Sequence, residues 1–208
     1  MRYVARIGLT VAILSALVGC QSSAKEPDSD RASAMVSEGK AAEEQNRPQA
    51  AEKMYQQALS ADAQNRNALY QLARLQTTQK QYPEAVKTWK KYVEACHGSA
   101  DAYNNLGYCE DLAGNANEAE TAYKKGLSAD PLNTACRVNY GLFLARHDRP
   151  NEALMQLQQV MTPAEAHYNI ALAYDQLGRR AEAQTEYRMA VRLNPNFIDA
   201  QARIRATE

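Results

Sequence analysis

One alanine recurs along this chain at a fixed step and carries a bulky partner with it. Ala51, Ala85, Ala119 and Ala153 stand 34 residues apart, and Ala183 follows after 30. Four residues beyond each come Tyr55, Trp89, Tyr123, Leu157 and Tyr187. If a unit starts at Ala100, these positions are slots 20 and 24, and slot 8 reads Gly39, Ala73, Gly107, Gly141 and Ala171. A step of four residues returns to the same face of a helix, so slots 20 and 24 share one helix and slot 8 belongs to the helix before it. Two antiparallel helices approach closely only where neither carries a large side chain. The small slots therefore mark a close crossing, and slot 24 fills the space one turn further along. A single helix pair cannot cover its own apolar faces, so consecutive pairs must stack.

In the clearest unit the run is Tyr103, Leu106-Gly107, Ala119, Tyr123 and Pro131. This resembles the 34-residue tetratricopeptide pattern. The resemblance implies an all-α fold: a right-handed α-solenoid of about five helix-turn-helix units over 32–197, divided as 32–65, 66–99, 100–133, 134–163 and 164–197. Residues 198–208 begin like a sixth unit, but Arg205 stands at slot 8, so they read as a C-terminal solvating helix that caps the stack. Unit 1 departs from the pattern with Glu38 at slot 7, and unit 2 with Tyr92 at the small slot 27. Thr162-Pro163-Ala164-Glu165 has the form of a capping box with proline at the first helical position. The four residues missing from unit 4 are thus expected to come from its last turn and connection, outside the packing slots. Pro48, Pro83 and Pro150 suit the first turn of second helices, and Gly114 and Gly178 suit the turns between helices.

Residues 1–19 read as a signal peptide: Arg2 and Arg6, then an apolar run from Ile7 to Val18. That run falls short of the roughly 20 residues needed to span a bilayer. Leu17-Val18-Gly19-Cys20 resembles the lipobox of bacterial lipoproteins, which implies cleavage before Cys20 and acylation of its thiol. An ordinary signal or an uncleaved anchor are the alternatives. Residues 20–31 form a polar tether that reaches about 40 Å at most. Gln21 after the cysteine implies the periplasmic face of the outer membrane.

Acidic and basic side chains balance at 24 each and are interspersed, which argues against nucleic acid as a partner. The spacings of His97, His147 and His167 fit no metal site, and no phosphate-binding loop or nucleophile elbow occurs. Neither a cofactor nor a small-molecule substrate is expected, and the chain is expected not to be an enzyme. Beyond Cys20 there remain Cys96, Cys109 and Cys136; an odd number leaves at least one thiol unpaired within the chain, and any pairing among them stays open.

In tetratricopeptide domains the first helices line a groove with slots 2, 5, 6, 9, 12 and 13. Here slot 6 reads Ser37, Gln71, Asn105, Asn139 and Asn169. A side-chain amide both donates and accepts, and the series is similar to the asparagine ladder of the O-linked N-acetylglucosamine transferase family, which holds a peptide by its backbone. Local hydrogen bonding of the same amides is the alternative. Tyr70, Tyr108, Leu142, Tyr168 and Leu172 stand beside them at slots 5 and 9 as apolar anchors. The whole chain is similar to the type IV pilus biogenesis lipoproteins, with the segment Asn139 to Leu144 as the most specific likeness. The expected partner is an extended polypeptide or a secretin or pilus component, with the lipid anchor holding the chain to the membrane. A substrate-presenting subunit of a separate glycosyltransferase or peptidoglycan-processing enzyme is the competing expectation.

Overall fold

This computed structural model describes residues 28–206, and within them the chain forms eleven α-helices and no strand. They pair as α1 (Ser29–Glu44) with α2 (Pro48–Ala61), α3 (Arg66–Thr78) with α4 (Tyr82–Ala95), and α5 (Ala100–Leu112) with α6 (Ala116–Ala129). Then come α7 (Thr134–Arg146) with α8 (Pro150–Leu157), α9 (Pro163–Gln176) with α10 (Arg180–Leu193), and the lone α11 (Ile198–Arg205). The all-α repeat architecture expected from the sequence is the one observed. The signal peptide, Cys20 and most of the tether lie outside the described residues. The tether expected to reach Arg31 gives way to helix at Ser29, because the Asp28 side chain accepts the Arg31 backbone N–H and starts α1 early. Among the described residues, no helix is long and apolar enough to cross a membrane.

Starts and stops follow local chemistry. Asn65, Ser99, Asn133 and Thr162 cap α3, α5, α7 and α9 by accepting a backbone N–H three residues on, each worth about 1 kcal/mol. Glu165 completes the capping box by returning to Thr162. Each first helix ends with a residue in the left-handed region at slot 15: Asn46, Lys80, Gly114, Asp148 and Gly178, with φ of 54°, 61°, 81°, 59° and 73°. The next N–H in each case bonds back five residues, as Arg47 does to Ala42. This is the Schellman stop, built five times.

Inside each pair the slots behave as their sizes require. A Cβ on Gly39, Gly107 or Gly141 would lie 2.4, 2.9 or 2.7 Å from Tyr55, Tyr123 or Leu157, so slot 8 is small because slot 24 lies against it. A polar bond accompanies this packing. Tyr55 donates to Glu43 at 2.6 Å, the Trp89 indole N–H to Thr77 at 3.1 Å, and Tyr187 to Asp175 at 2.6 Å. These all join slot 24 to slot 12. Unit 4 replaces both members with apolar residues, Ala145 and Leu157. In unit 3 Asp111 is drawn away to Arg146 and His147 of the next unit, and the buried Tyr123 hydroxyl has no partner among the described residues.

Successive first helices lie side by side: α1 with α3, α5 with α7, and α7 with α9. The pair α3 and α5 does not share this closeness; α5 meets unit 2 chiefly through α4 instead. Slot 27 explains the difference. In unit 3 it is Gly126, where a Cβ would meet Cys136, Ala100 and Tyr103 within 3.3 Å. In unit 2 the position holds Tyr92, whose ring packs against Tyr70 and Trp89 at 5.7 and 5.5 Å and keeps the two first helices apart. The buried core forms three clusters. One cluster fills unit 1 and reaches α3, a second spans units 2 and 3, and a third runs from Ala119 to Ala200.

Unit 4 corrects one expectation. Helix α8 has 8 residues where α6 and α10 have 14. The loss takes slots 25 to 30 out of the helix, slot 27 (Val160) among them, and residues 158–161 form a turn. The following capped, proline-initiated α9 needs that chain to change direction. Cys96, Cys109 and Cys136 are all free thiols. Burial pushes the Cys136 thiol up to about 11.

Candidate functional site

The candidate site is the face of the first helices turned away from their second helices. At 3.6 residues per turn, slots 2, 6, 9 and 13 fall within one narrow sector, while slots 5 and 12 lie nearly a quarter turn towards the partner helix. The structure follows this division. Slot 2 is exposed in all five units, and Tyr108 and Leu112 of α5 are 45% and 39% exposed. Slots 5 and 12 recede: Val36, Asn104 and Ala145 are buried.

Of the sequence-selected residues, Gln71, Asn105, Asn139, Asn169, Tyr108, Leu142 and Leu172 sit on this face, partly buried except for the exposed Tyr108. Tyr70 and Tyr168 belong to its wall. Tyr70 packs edge-on against Trp89 at 5.6 Å, and Tyr168 lies against Tyr187 and Phe197 at 5.6 and 4.9 Å. Their slot 5 position turns the rings inward.

The amides differ in what they already bond. Asn139 gives an N–H to Asn104 on the neighbouring α5 at 2.9 Å. Asn169 donates to the Glu165 carbonyl of its own helix at 2.9 Å and to the Met161 sulfur. Gln71 accepts from Arg74 at 3.2 Å. No hydrogen bond of the Asn105 side chain is seen among the described residues. The local-bonding alternative therefore describes one N–H of Asn169, and among the described residues no such bond reaches the side-chain oxygens of Asn105, Asn139 and Asn169.

Charge is confined to particular places. In units 1 and 2 slot 9 is Lys40 and Arg74; Arg74 pairs with Glu43 across the two units. In units 3 to 5 the same line is Tyr108, Leu142 and Leu172. Arg146 at slot 13 is held by Asp111, which His147 also contacts at 3.0 Å. Lys40, Arg74 and Leu112 are residues of this face that sequence reasoning left out, and Asn104 supports Asn139 from the buried slot 5; reading slot 9 through every unit exposes its change from cationic to apolar. His167 serves packing, bonding Glu186 at 2.6 Å. On the opposite side of α5 a cleft of about 250 Å³ opens between α4 and α6. At its base the buried Glu110 is held by Lys90 at 3.1 Å and Asn115 at 2.7 Å. No group of three His, Cys, Asp or Glu is arranged for a metal among the described residues.

Comparison with known proteins gives the class. Sequence models of the tetratricopeptide repeat match residues 42–107, 100–131 and 164–197. The chain is a tetratricopeptide-repeat protein, a class of helical scaffold for protein–protein interaction. Among solved structures, YrrB, described as having an unusual peptide-binding site, is 22% identical with a TM-score of 0.57, over 81% of this chain and 89% of that one. MamA is 23% identical with a TM-score of 0.61, over 78% and 91%. PilF of Pseudomonas aeruginosa is 17% identical with a TM-score of 0.59, over 87% and 84%. No curated protein sequence matches the chain.

Proposed function

We propose that this chain is a lipid-anchored scaffold that holds an extended polypeptide or assembly partner in the cell envelope. The observation that carries the reading is the shared face of the first helices, where unoccupied amide oxygens lie beside an apolar line. That pairing suits recognition of a backbone together with its side chains. The lipobox-like Leu17-Val18-Gly19-Cys20 supports an acyl anchor at Cys20 and a place at the periplasmic face of the outer membrane. More than one acyl chain would make that anchoring stable. The fold shared with PilF of Pseudomonas aeruginosa and the sequence likeness at Asn139 to Leu144 support a partner in type IV pilus or secretin assembly. The role is binding without catalysis.

A photo-crosslinking residue at Tyr108 or Leu142, compared with one at the exposed Met155 of α8, tests the face. A pilus or secretin component captured from the first two positions and not from the third is expected. Equal capture from all three removes the groove as the site, and capture of a transferase or hydrolase returns the substrate-presenting alternative. Metabolic fatty-acid labelling should vanish in Cys20→Ser, and labelling that persists there removes the anchor.

A further inference from the structure

Units 3 to 5 repeat two features once per first helix. One is an amide, Asn105, Asn139 and Asn169; the other is an apolar side chain, Tyr108, Leu142 and Leu172. Helices α5, α7 and α9 lie side by side, and packed helices stand about 8–10 Å apart. One N–H of Asn139 is given to Asn104 and both of Asn169 to Glu165 and Met161, so the amide oxygen is the group that all three leave without a hydrogen bond among the described residues. A ligand using the whole run must donate an N–H and offer an apolar side chain every 8–10 Å or so, always on the same side. A β-strand cannot do this, since residues three apart point to opposite faces. The polyproline II helix can: it has three residues per turn and rises about 3.1 Å each, so every third residue returns to the same side after about 9.3 Å.

We propose that units 3 to 5 bind a segment in the polyproline II conformation with an apolar side chain at every third position. This deepens the scaffold reading and rests on it. The anchors seat on Tyr108, Leu142 and Leu172, and backbone N–H groups repeating at the same interval are accepted by Asn105, Asn139 and Asn169. Charge sets the direction in which the segment continues. Towards units 1 and 2 the slot 9 line becomes Lys40 and Arg74, and Lys40 is exposed with no ion pair among the described residues. Acidic residues therefore follow the apolar triplet on that side. Because Tyr92 holds α3 away from α5, the acidic stretch is not bound to the same three-residue interval.

Short synthetic peptides with apolar residues at every third position, at every second position, or scrambled are titrated against the full chain by fluorescence anisotropy. The every-third peptide is expected to bind about tenfold tighter or more than either other, to tolerate proline between its anchors, and to lose about tenfold when its accepted N–H groups are methylated. Leu142→Ala and Leu142→Asp should weaken it by about tenfold or more, measured at a temperature where circular dichroism shows each variant folded. Met155→Asp should leave binding unchanged. Equal or tighter binding of the alternating peptide overturns the polyproline II assignment while leaving a peptide-binding scaffold. Binding of none, or binding indifferent to both Leu142 variants, overturns it too; crosslinks from Tyr108 to a folded partner would then keep the scaffold reading alone.

Discussion

Units 1 and 2 and units 3 to 5 follow one pattern and stack differently. In the C-terminal block, α5, α7 and α9 lie side by side, and a single buried cluster runs from Ala119 of α6 through α7 and α9 to Ala200 of α11. Tyr123, Tyr140 and Phe143 stack at 5.7–6.2 Å inside it. Ionic bonds cross each boundary there: Arg149 to Glu120, Arg146 to Asp111, and Arg179 to Asp148. The N-terminal block is joined internally by Arg74 and Glu43. Between the blocks the first helices approach less closely, and contact passes through α4 on α5, with a buried cluster joining Trp89 and Val93 to Ala102 and Leu106, together with Lys90–Glu110 and a Thr77–Cys109 bond. One large side chain in a small slot thus changes how two units meet in a repeat array that its spacing alone would make uniform. The groove changes character at the same place, from cationic to apolar.

The largest effect should come from emptying the C-terminal core. Tyr123→Ala removes a fully buried ring and should cost about 3–5 kcal/mol. Repeat arrays unfold as sums of unit and interface terms, so the units that lose the ring should melt first. The chain has one tryptophan, Trp89, on the N-terminal side of the junction between the blocks. In this variant, circular dichroism should show an early transition that tryptophan fluorescence does not follow. Coincident transitions by both probes would mean that the junction transmits cooperativity fully.

Acid should act next, and on the C-terminal block. Glu120 accepts hydrogen bonds from Arg149, Tyr140 and Lys124. Arg149 leads in holding its pKa down at about 2. A carboxylate whose folded-state pKa is depressed contributes fully above its ordinary value, near 4.3, and loses that contribution as pH falls towards 2. With solvent screening of these half-exposed partners, the loss is about 1–2 kcal/mol. Denaturation curves between pH 6 and pH 2.5 should therefore decline more steeply in wild type than in Glu120→Gln. Parallel decline would remove Glu120 as a source of stability.

No larger, and differing between units, is the effect of deleting one hydroxyl. Tyr187→Phe strips Asp175 of its donor and should lose about 1–2 kcal/mol. Tyr123→Phe removes a buried hydroxyl that has no partner and should be neutral or gain a few tenths of a kcal/mol. If both variants lose stability alike, Asp111 serves Tyr123 in solution as Asp175 serves Tyr187.

These contrasts show which layer of the structure the residues spelled out. Size patterns were legible: glycine at slot 8 and alanine at slot 20 announce a close crossing whatever their neighbours, and Thr162 with Glu165 announces a helix start by itself. Side-chain partners were not. The bond between slots 12 and 24 joins two helices across a turn, and whether Asp111 turns to Tyr123 or to Arg146 depends on a unit 35 residues further on. Tyr92 could be seen as an exception at slot 27; that it would separate α3 from α5 required the stacking itself. At the candidate site, slot 6 is readable as a series of amides, whereas Tyr70 and Tyr168 at slot 5 stand at the groove's edge, where a ring turns towards whichever side offers aromatic neighbours.

The smallest expected effect concerns the turn that both blocks build alike. Slot 15 is left-handed in all five units, yet glycine fills it only at Gly114 and Gly178. Asn46 and Asp148 tolerate this region better than most residues. Lys80, with φ 61°, has no such allowance, and the left-handed conformation costs an ordinary side chain about 1–2 kcal/mol. Glycine removes that strain but gives the unfolded chain more freedom, offsetting about 0.5–1 kcal/mol. Lys80→Gly should then stabilise by about 0.5–1 kcal/mol, while Asn46→Gly and Asp148→Gly stay within a few tenths of zero. Because Lys80 closes α3 on the N-terminal side of the junction, the gain should appear in the tryptophan transition first. A neutral or destabilised Lys80→Gly protein would show that the lysine stem recovers, by contacts along its length, what its backbone gives up.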